Sequence, residues 1–249
     1  MRKQYEEDYR HQRQPRSGWN TDILVREAAA GAASAGAEVE VIELYKLEKF
    51  TGCVSCFGCK TEGHLGQCVC RDGLHDVLEK IRHADGLILG SPVYLGDISA
   101  GLRALYERLV FQYITYKTEV RSYNERRIPV VLIVTSNVPA EYDAELLNRY
   151  KGTLEAFIGP TQTLASGSTL QVNNYERYNW TMFNAEEKKA RRETVFPEDR
   201  KAAYQLGADM LRLMPLKSRC DCSKSSLQMN ARGMSFRRRE KYRTMLAKL

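Results

Sequence analysis

Three aliphatic residues, Leu87-Ile88-Leu89, stand between Gly86 and Gly90, and this short stretch limits what the chain can fold into more than any other. A run so brief, with glycine on both sides, suits a strand buried on both faces, as in a parallel sheet. Ser91 to Gly96 reads as a turn. From Ser99 onward, Leu102, Leu105, Leu109, Val110 and Tyr113 recur at helical spacing and give one apolar face. Strand, turn and amphipathic helix make half of a βαβ unit. In open α/β sheets ligands lie beyond the carboxyl ends of the strands, which is where this turn sits. Its backbone amides, proline and aromatic ring are enough to hold a flat cofactor by its edge.

The rest of the chain extends the same pattern. Asn20 or Thr21 caps a helix running to about residue 35, rich in small residues (AAAGAASAGA) that permit close backbone approach. Residues 38–45 (EVEVIELY) alternate apolar and polar, as in a strand near a sheet edge. Leu74, Val77, Leu78 and Ile81 mark a helix, residues 128–134 (IPVVLIV) another buried strand, and residues 140–157 a helix. A weaker strand at 161–165, a polar aromatic loop at 173–183 and a helix at 197–213 follow. The order βαβαβα predicts a doubly wound α/β sheet with short connections. We expect one domain over residues 14–214, between a polar segment at 1–13 and a basic tail at 215–249.

Composition narrows the class. With 43% hydrophobic and 28% charged residues the chain reads as a globular protein. No apolar run approaches the roughly 20 residues that span a bilayer, and the first residues are too polar for a signal peptide. No membrane partner and a cytoplasmic location are therefore expected. Five of seven cysteines fall between Cys53 and Cys70, which in a reducing compartment points to metal or redox chemistry. From Lys217 onward ten Lys/Arg meet only Asp221 and Glu240, so the tail accounts for the whole net charge of +7. With no aromatic interleaving for base stacking, nucleic acid is not the expected partner; a disordered or loosely helical extension is.

Three segments in order carry a resemblance: Pro15-Arg16-Ser17-Gly18-Trp19-Asn20-Thr21, then Cys53-Val54-Ser55-Cys56-Phe57-Gly58-Cys59 with Gly66-Gln67-Cys68, then Ala84-Asp85-Gly86 continuing to Gly90-Ser91-Pro92-Val93-Tyr94. Over residues 14–214 the chain resembles the flavodoxin-like NAD(P)H-dependent FMN reductases, and its cysteine pattern resembles the iron–sulfur flavoproteins among them. The resemblance implies a flavodoxin-like sheet of order 2-1-3-4-5 with FMN at the switch point between strands 1 and 3. It also implies NAD(P)H as co-substrate, a small-molecule or redox-protein electron acceptor, and a homo-oligomer.

The residues suit that chemistry. A phosphate needs backbone N–H groups at a helix N-terminus together with hydroxyl donors; Arg16, Ser17, Gly18, Asn20 and Thr21 supply them. Pro92, Val93, Tyr94, Leu95 and Gly96 would edge the isoalloxazine, and Thr135, Ser136 and Asn137 would complete the rim. Hydride arrives at and leaves from the flavin itself, so no catalytic side chain is required. Cys53, Cys56, Cys59 and Cys68 present four thiolates on one loop, as a [4Fe–4S] cluster needs; a zinc site or free thiols near the flavin use the same residues. Two functions follow: an FMN-dependent oxidoreductase, or an electron-transfer protein working between a cluster and FMN.

One departure stands out. The family begins with an apolar strand running into Gly-Ser-Pro-Arg, but here Gln14 stands at the serine position and the apolar strand is missing. The segment from Lys3 to Arg13 carries Lys3, Arg10, Arg13 and His11 beside Glu6, Glu7 and Asp8, and burying unpaired charges costs several kcal/mol each. We expect a start shortened or altered relative to the family, with Lys3–Arg13 outside the middle of the sheet.

Overall fold

The computed structural model describes residues 16–213 and 242–248. Helix α1 (Asn20–Ser34) leads into strand β1 (Ala37–Glu43). The cysteine loop and helix α2 (His75–His83) follow, then β2 (Gly86–Tyr94), the short β3 (Asp97–Ile98) and α3 (Ala100–Tyr113). Then come β4 (Val130–Thr135), α4 (Ala144–Phe157), β5 (Thr161–Ser166), α5 (Ala185–Thr194), α6 (Phe196–Asp209) and β6 (Tyr242–Lys248). The expected doubly wound sheet forms, in the order β1-β6-β2-β4-β5 with every pair along this path parallel.

Side chains alternate along the strands and divide the core. Leu87, Leu89, Val130 and Leu132 pack with α2, α3 and α4 on one face. Ile88, Val131 and Ile133 pack with α1 and α6 on the other. The small residues of α1 serve a helix as well as the sheet. A Cβ on Gly31 would stand 1.9 Å from the carbonyl oxygen of Tyr204, and one on Gly207 would stand 1.8 Å from that of Ala28. Glycine is therefore required at both crossings of α1 and α6.

The central place of the sheet is filled from the far end of the sequence. β6 lies between β1 and β2, with Thr244 opposite Val39 on one side and Gly86 on the other. Lys248 closes the ladder between Glu43 and Gly90. A strand between two parallel neighbours satisfies backbone groups that β1 and β2 would otherwise bury unpaired, which is the physical reason the gap is filled. The expectation of a disordered or loosely helical tail therefore fails at Tyr242–Lys248. The expectation for Lys3–Arg13 lies outside the described residues.

Smaller departures concern element ends. β2 runs on through Ser91-Pro92-Val93-Tyr94, which we expected as a turn, because Val93 and Tyr94 pair with Ile98 and Asp97 of β3. The turn is only Leu95-Gly96, at φ +52° and +78°. A separate helix, α5, was not expected; Asn184 caps it by accepting hydrogen bonds from the Glu186 and Glu187 amides.

Candidate functional site

The carboxyl ends of the strands gather the expected binding residues. Thr21, in the first turn of α1, shares a 2.7 Å hydrogen bond with Thr135 at the end of β4. Thr135 pairs across the sheet with Pro92 and with Ser166. The loop before α1, the end of β2 and the segment from Thr135 to Asn137 thus meet at one edge. The segment after β5 binds them together. Arg16 Nη1 donates to the Gln171 carbonyl (2.5 Å) and Asn20 Nδ2 to the Leu170 carbonyl (2.8 Å). The Ser136 carbonyl accepts from the Thr169 amide and hydroxyl, and the Asn137 side chain accepts from Gln171 Nε2.

The loop is open where an anion would enter. Arg16, Ser17 and Gly18 are exposed, and Gly18 takes φ +79° with free space around it, a turn that glycine adopts without strain. One amide is already engaged: Gly18 N–H donates to the Asp22 carboxylate at 2.6 Å, and Asp22 pairs with Arg26 at 2.9 Å. Gly18 therefore supplies backbone shape rather than a free donor. Tyr94 and Leu95 stand exposed at the tip of β2.

Two cations on α5 join this site, and the sequence reading missed both. Arg192 Nη1 donates to Asn20 Oδ1 (2.7 Å) and lies 4.1 Å from the centre of the Phe196 ring. Lys188 Nζ donates to the Asn137 carbonyl (3.0 Å). Burial, then repulsion from Arg200, lowers the Arg192 pKa; burial, then repulsion from Arg191, lowers that of Lys188. The signal in the sequence was the basic run of α5 behind an Asn-x-x-Glu cap, which falls between the loop expected at 173–183 and the helix expected at 197–213.

The cysteines form a second centre against α3. Cys53, Cys56, Cys59, Cys68 and Cys70 are all free thiols, and together they line one pocket with Arg108, Phe111 and Gln112. The loop bends sharply here, with Ser55 and Phe57 at φ +52° and +56°. Phe57 meets Phe111 edge to face at 5.7 Å. Arg108 is 2% exposed. It donates from Nε to Cys68 Sγ (3.4 Å), from Nη2 to the Cys70 carbonyl (2.9 Å) and from Nη1 to Asp72 (2.6 Å). The Cys68 amide donates to Gln112 Oε1 at 3.1 Å, while Gln112 Nε2 is buried without a partner. Burial pushes the Cys59 and Cys70 thiols up.

Among the described residues, no three His, Cys, Asp or Glu side chains converge to hold a metal ion. A four-iron cluster takes each thiolate on a different iron and so draws its ligands from around a cavity. Thiols ringing one pocket, a buried guanidinium and an orphaned buried amide fit such a group.

Known proteins resemble the chain in both respects. Residues 14–171 match the family described as NADPH-dependent FMN reductase. The iron–sulfur flavoprotein MJ1083 of Methanocaldococcus jannaschii is 45% identical over 94 residues, 38% of this chain and 47% of that protein. An iron–sulfur flavoprotein of Archaeoglobus fulgidus is 30% identical over 133 residues, 53% of this chain and 61% of that one. The chain thus spans about half the length of the curated relatives it matches. An azoreductase from Bacillus anthracis superposes with a TM-score of 0.56 at 14% identity, over 79% of this chain and 94% of that one, and shares the fold. No described helix is long and apolar enough to cross a membrane.

Proposed function

Because this chain belongs to the NADPH-dependent FMN reductase family, we propose that it is an FMN-dependent oxidoreductase, passing electrons from NAD(P)H through FMN to a small-molecule or protein acceptor. The observation that carries this reading is the hydrogen bond between Thr21 and Thr135, which brings the loop before α1 to the end of β4, beside Pro92. Arg16, Ser17, Asn20 and Thr21 would take the FMN phosphate, with Arg192 and Lys188 supplying further positive charge. Gly18 shapes the loop. Pro92, Val93, Tyr94, Leu95 and Gly96 would border the flavin ring, and Thr135, Ser136 and Asn137 its rim. Bound FMN supplies hydride and electron transfer, so the side chains bind and orient and none need act as acid or base. A homo-oligomer and a cytoplasmic location belong to the same reading. The absorption spectrum of the purified protein, followed by titration with FMN, tests it: no flavin bound at any concentration rejects it.

The cysteine pocket favours a second reading, in which Cys53, Cys56, Cys59 and Cys68 hold a [4Fe–4S] cluster that exchanges single electrons with FMN. The orphaned amide of Gln112 beside these thiols is the observation that favours it. After anaerobic purification, Cys56→Ser abolishes iron and acid-labile sulfide, whereas Cys222→Ser leaves them. A protein that binds flavin and never contains iron supports the plain reductase.

A further inference from the structure

One turn apart on α3, Arg108 and Gln112 present polar groups to the cysteine pocket. Both are almost wholly buried, Gln112 at 1% and Arg108 at 2% exposure. Burying an amide N–H₂ without a partner costs free energy, and buried donors are left unsatisfied only rarely. Gln112 is held in place by a definite bond, since its Oε1 accepts the Cys68 amide. Its orientation is therefore fixed, and the Nε2 that follows from it has nothing to donate to. Arg108 is fixed as firmly by Asp72 and the Cys70 carbonyl, and its remaining Nε points to Cys68 Sγ. Asp72 offsets the guanidinium charge through Nη1.

We propose that Arg108 and Gln112 are positioning residues for an iron–sulfur cluster on the cysteine loop, Gln112 donating its free amide hydrogens to cluster or thiolate sulfur and Arg108 holding a positive charge beside Cys68. The proposal rests on the second reading above and extends it to two residues outside the thiol set. It also separates two cysteines. Cys68 receives both the Arg108 Nε–H and, through its amide, the Gln112 anchor, and is the ligand. Cys70 meets Arg108 through its carbonyl alone and is not a ligand. Reduction adds one negative charge to the cluster without breaking a bond. Donors and a fixed cation beside sulfur favour that reduced form, because hydrogen bonds to sulfur and nearby charge set the potentials of such clusters.

The full chain, reconstituted anaerobically with iron and sulfide, is the protein to test. Iron and acid-labile sulfide are measured, and the midpoint potential is read by titration with dithionite. Gln112→Glu keeps the acceptor for the Cys68 amide and removes the donor; Gln112→Met removes both with little change in volume. Arg108→Lys keeps the charge and loses the fork. Each Gln112 variant is expected to disfavour the reduced cluster about tenfold, about 59 mV more negative for one electron, or to lose iron while retaining flavin. Arg108→Lys is expected to shift the potential less, and Cys70→Ser to leave iron content unchanged. A loaded wild-type protein whose two Gln112 variants match it in iron and potential overturns this inference alone. So does loss of iron in Cys70→Ser but not in Cys68→Ser. A wild-type protein that takes up no iron overturns this inference together with the cluster reading beneath it.

Discussion

Thr21 Oγ1 and Thr135 Oγ1 form a 2.7 Å hydrogen bond between two buried side chains, fastening the first turn of α1 to the carboxyl end of β4. Replacing either residue with Val strands the other hydroxyl, at a cost of about 1–3 kcal/mol, whereas replacing both removes the pair at little cost. Urea unfolding of the two single variants and the double should show that non-additivity. Additive losses would mean the two hydroxyls do not depend on each other.

The cationic rim should select for phosphate. Arg16→Ala and Arg192→Ala each remove a charged donor from the loop region, and a hydrogen bond to a charged group is worth about 1.5–3 kcal/mol. FMN affinity should fall by about 10-fold or more in each, with riboflavin affinity almost unchanged. Fluorescence titration with both ligands distinguishes the cases, and equal losses would place the phosphate elsewhere.

The central strand makes opposite predictions at a single residue. Thr244 is 1% exposed, and its Oγ1 is buried without a partner. Thr244→Val should raise stability by about 1 kcal/mol by removing an unsatisfied hydroxyl. Thr244→Pro removes a backbone donor from the middle of the sheet and should cost about 3 kcal/mol or more. Midpoints of chemical denaturation should therefore move in opposite directions; a negligible effect of proline would show that β6 contributes little.

Acid should loosen the cysteine loop through Asp72. Burial alone would raise its pKa, but hydrogen bonds from Arg108 and from the Leu74 and Thr51 amides outweigh burial and hold it below 3.8. A carboxyl depressed in the folded state contributes stability above its unfolded pKa, and that contribution is lost as pH falls through the folded value. Asp72→Asn should flatten the acid limb of the stability profile below about pH 5. At neutral pH it leaves the buried guanidinium short of its partner, costing about 3–5 kcal/mol. Thermal midpoints from pH 7 down to 3 check both effects, and an unchanged acid slope would exclude Asp72 as the group responsible.

Leu95 is fully exposed at φ +52°, a conformation that costs a branched residue about 1 kcal/mol or more. Leu95→Gly should stabilise the protein by about that amount. If the side chain borders the flavin, as proposed, FMN affinity should fall in the same variant. Improvement in both would remove Leu95 from the site.

The strands at 86–90 and 128–134 were legible because both faces are covered by helices, which leaves near-continuous apolar runs; the one at 161–165 (TQTLA) was fainter because most of its side chains are only half-buried. The end of β2 was not: Ser91-Pro92-Val93-Tyr94 has the composition of a turn and becomes a strand only by pairing with Asp97 and Ile98. β6 was hidden for another reason. Its apolar triplet Met245-Leu246-Ala247 stands inside a stretch dominated by Arg and Lys, and only a vacancy elsewhere in the sheet gives those residues a place. At the site, the motif residues were readable one loop at a time. Arg192 and Lys188 were not, because their role depends on α5 folding back over Asn20 and Asn137.

β6 follows every other described strand in the chain, yet it stands between two of them. During synthesis β1 and β2 therefore emerge with their facing edges unmatched, and the sheet cannot be zipped in the order in which it is made. The halves must wait for a long-range closure, which slows folding and leaves two adhesive edges open to the same segment of another copy.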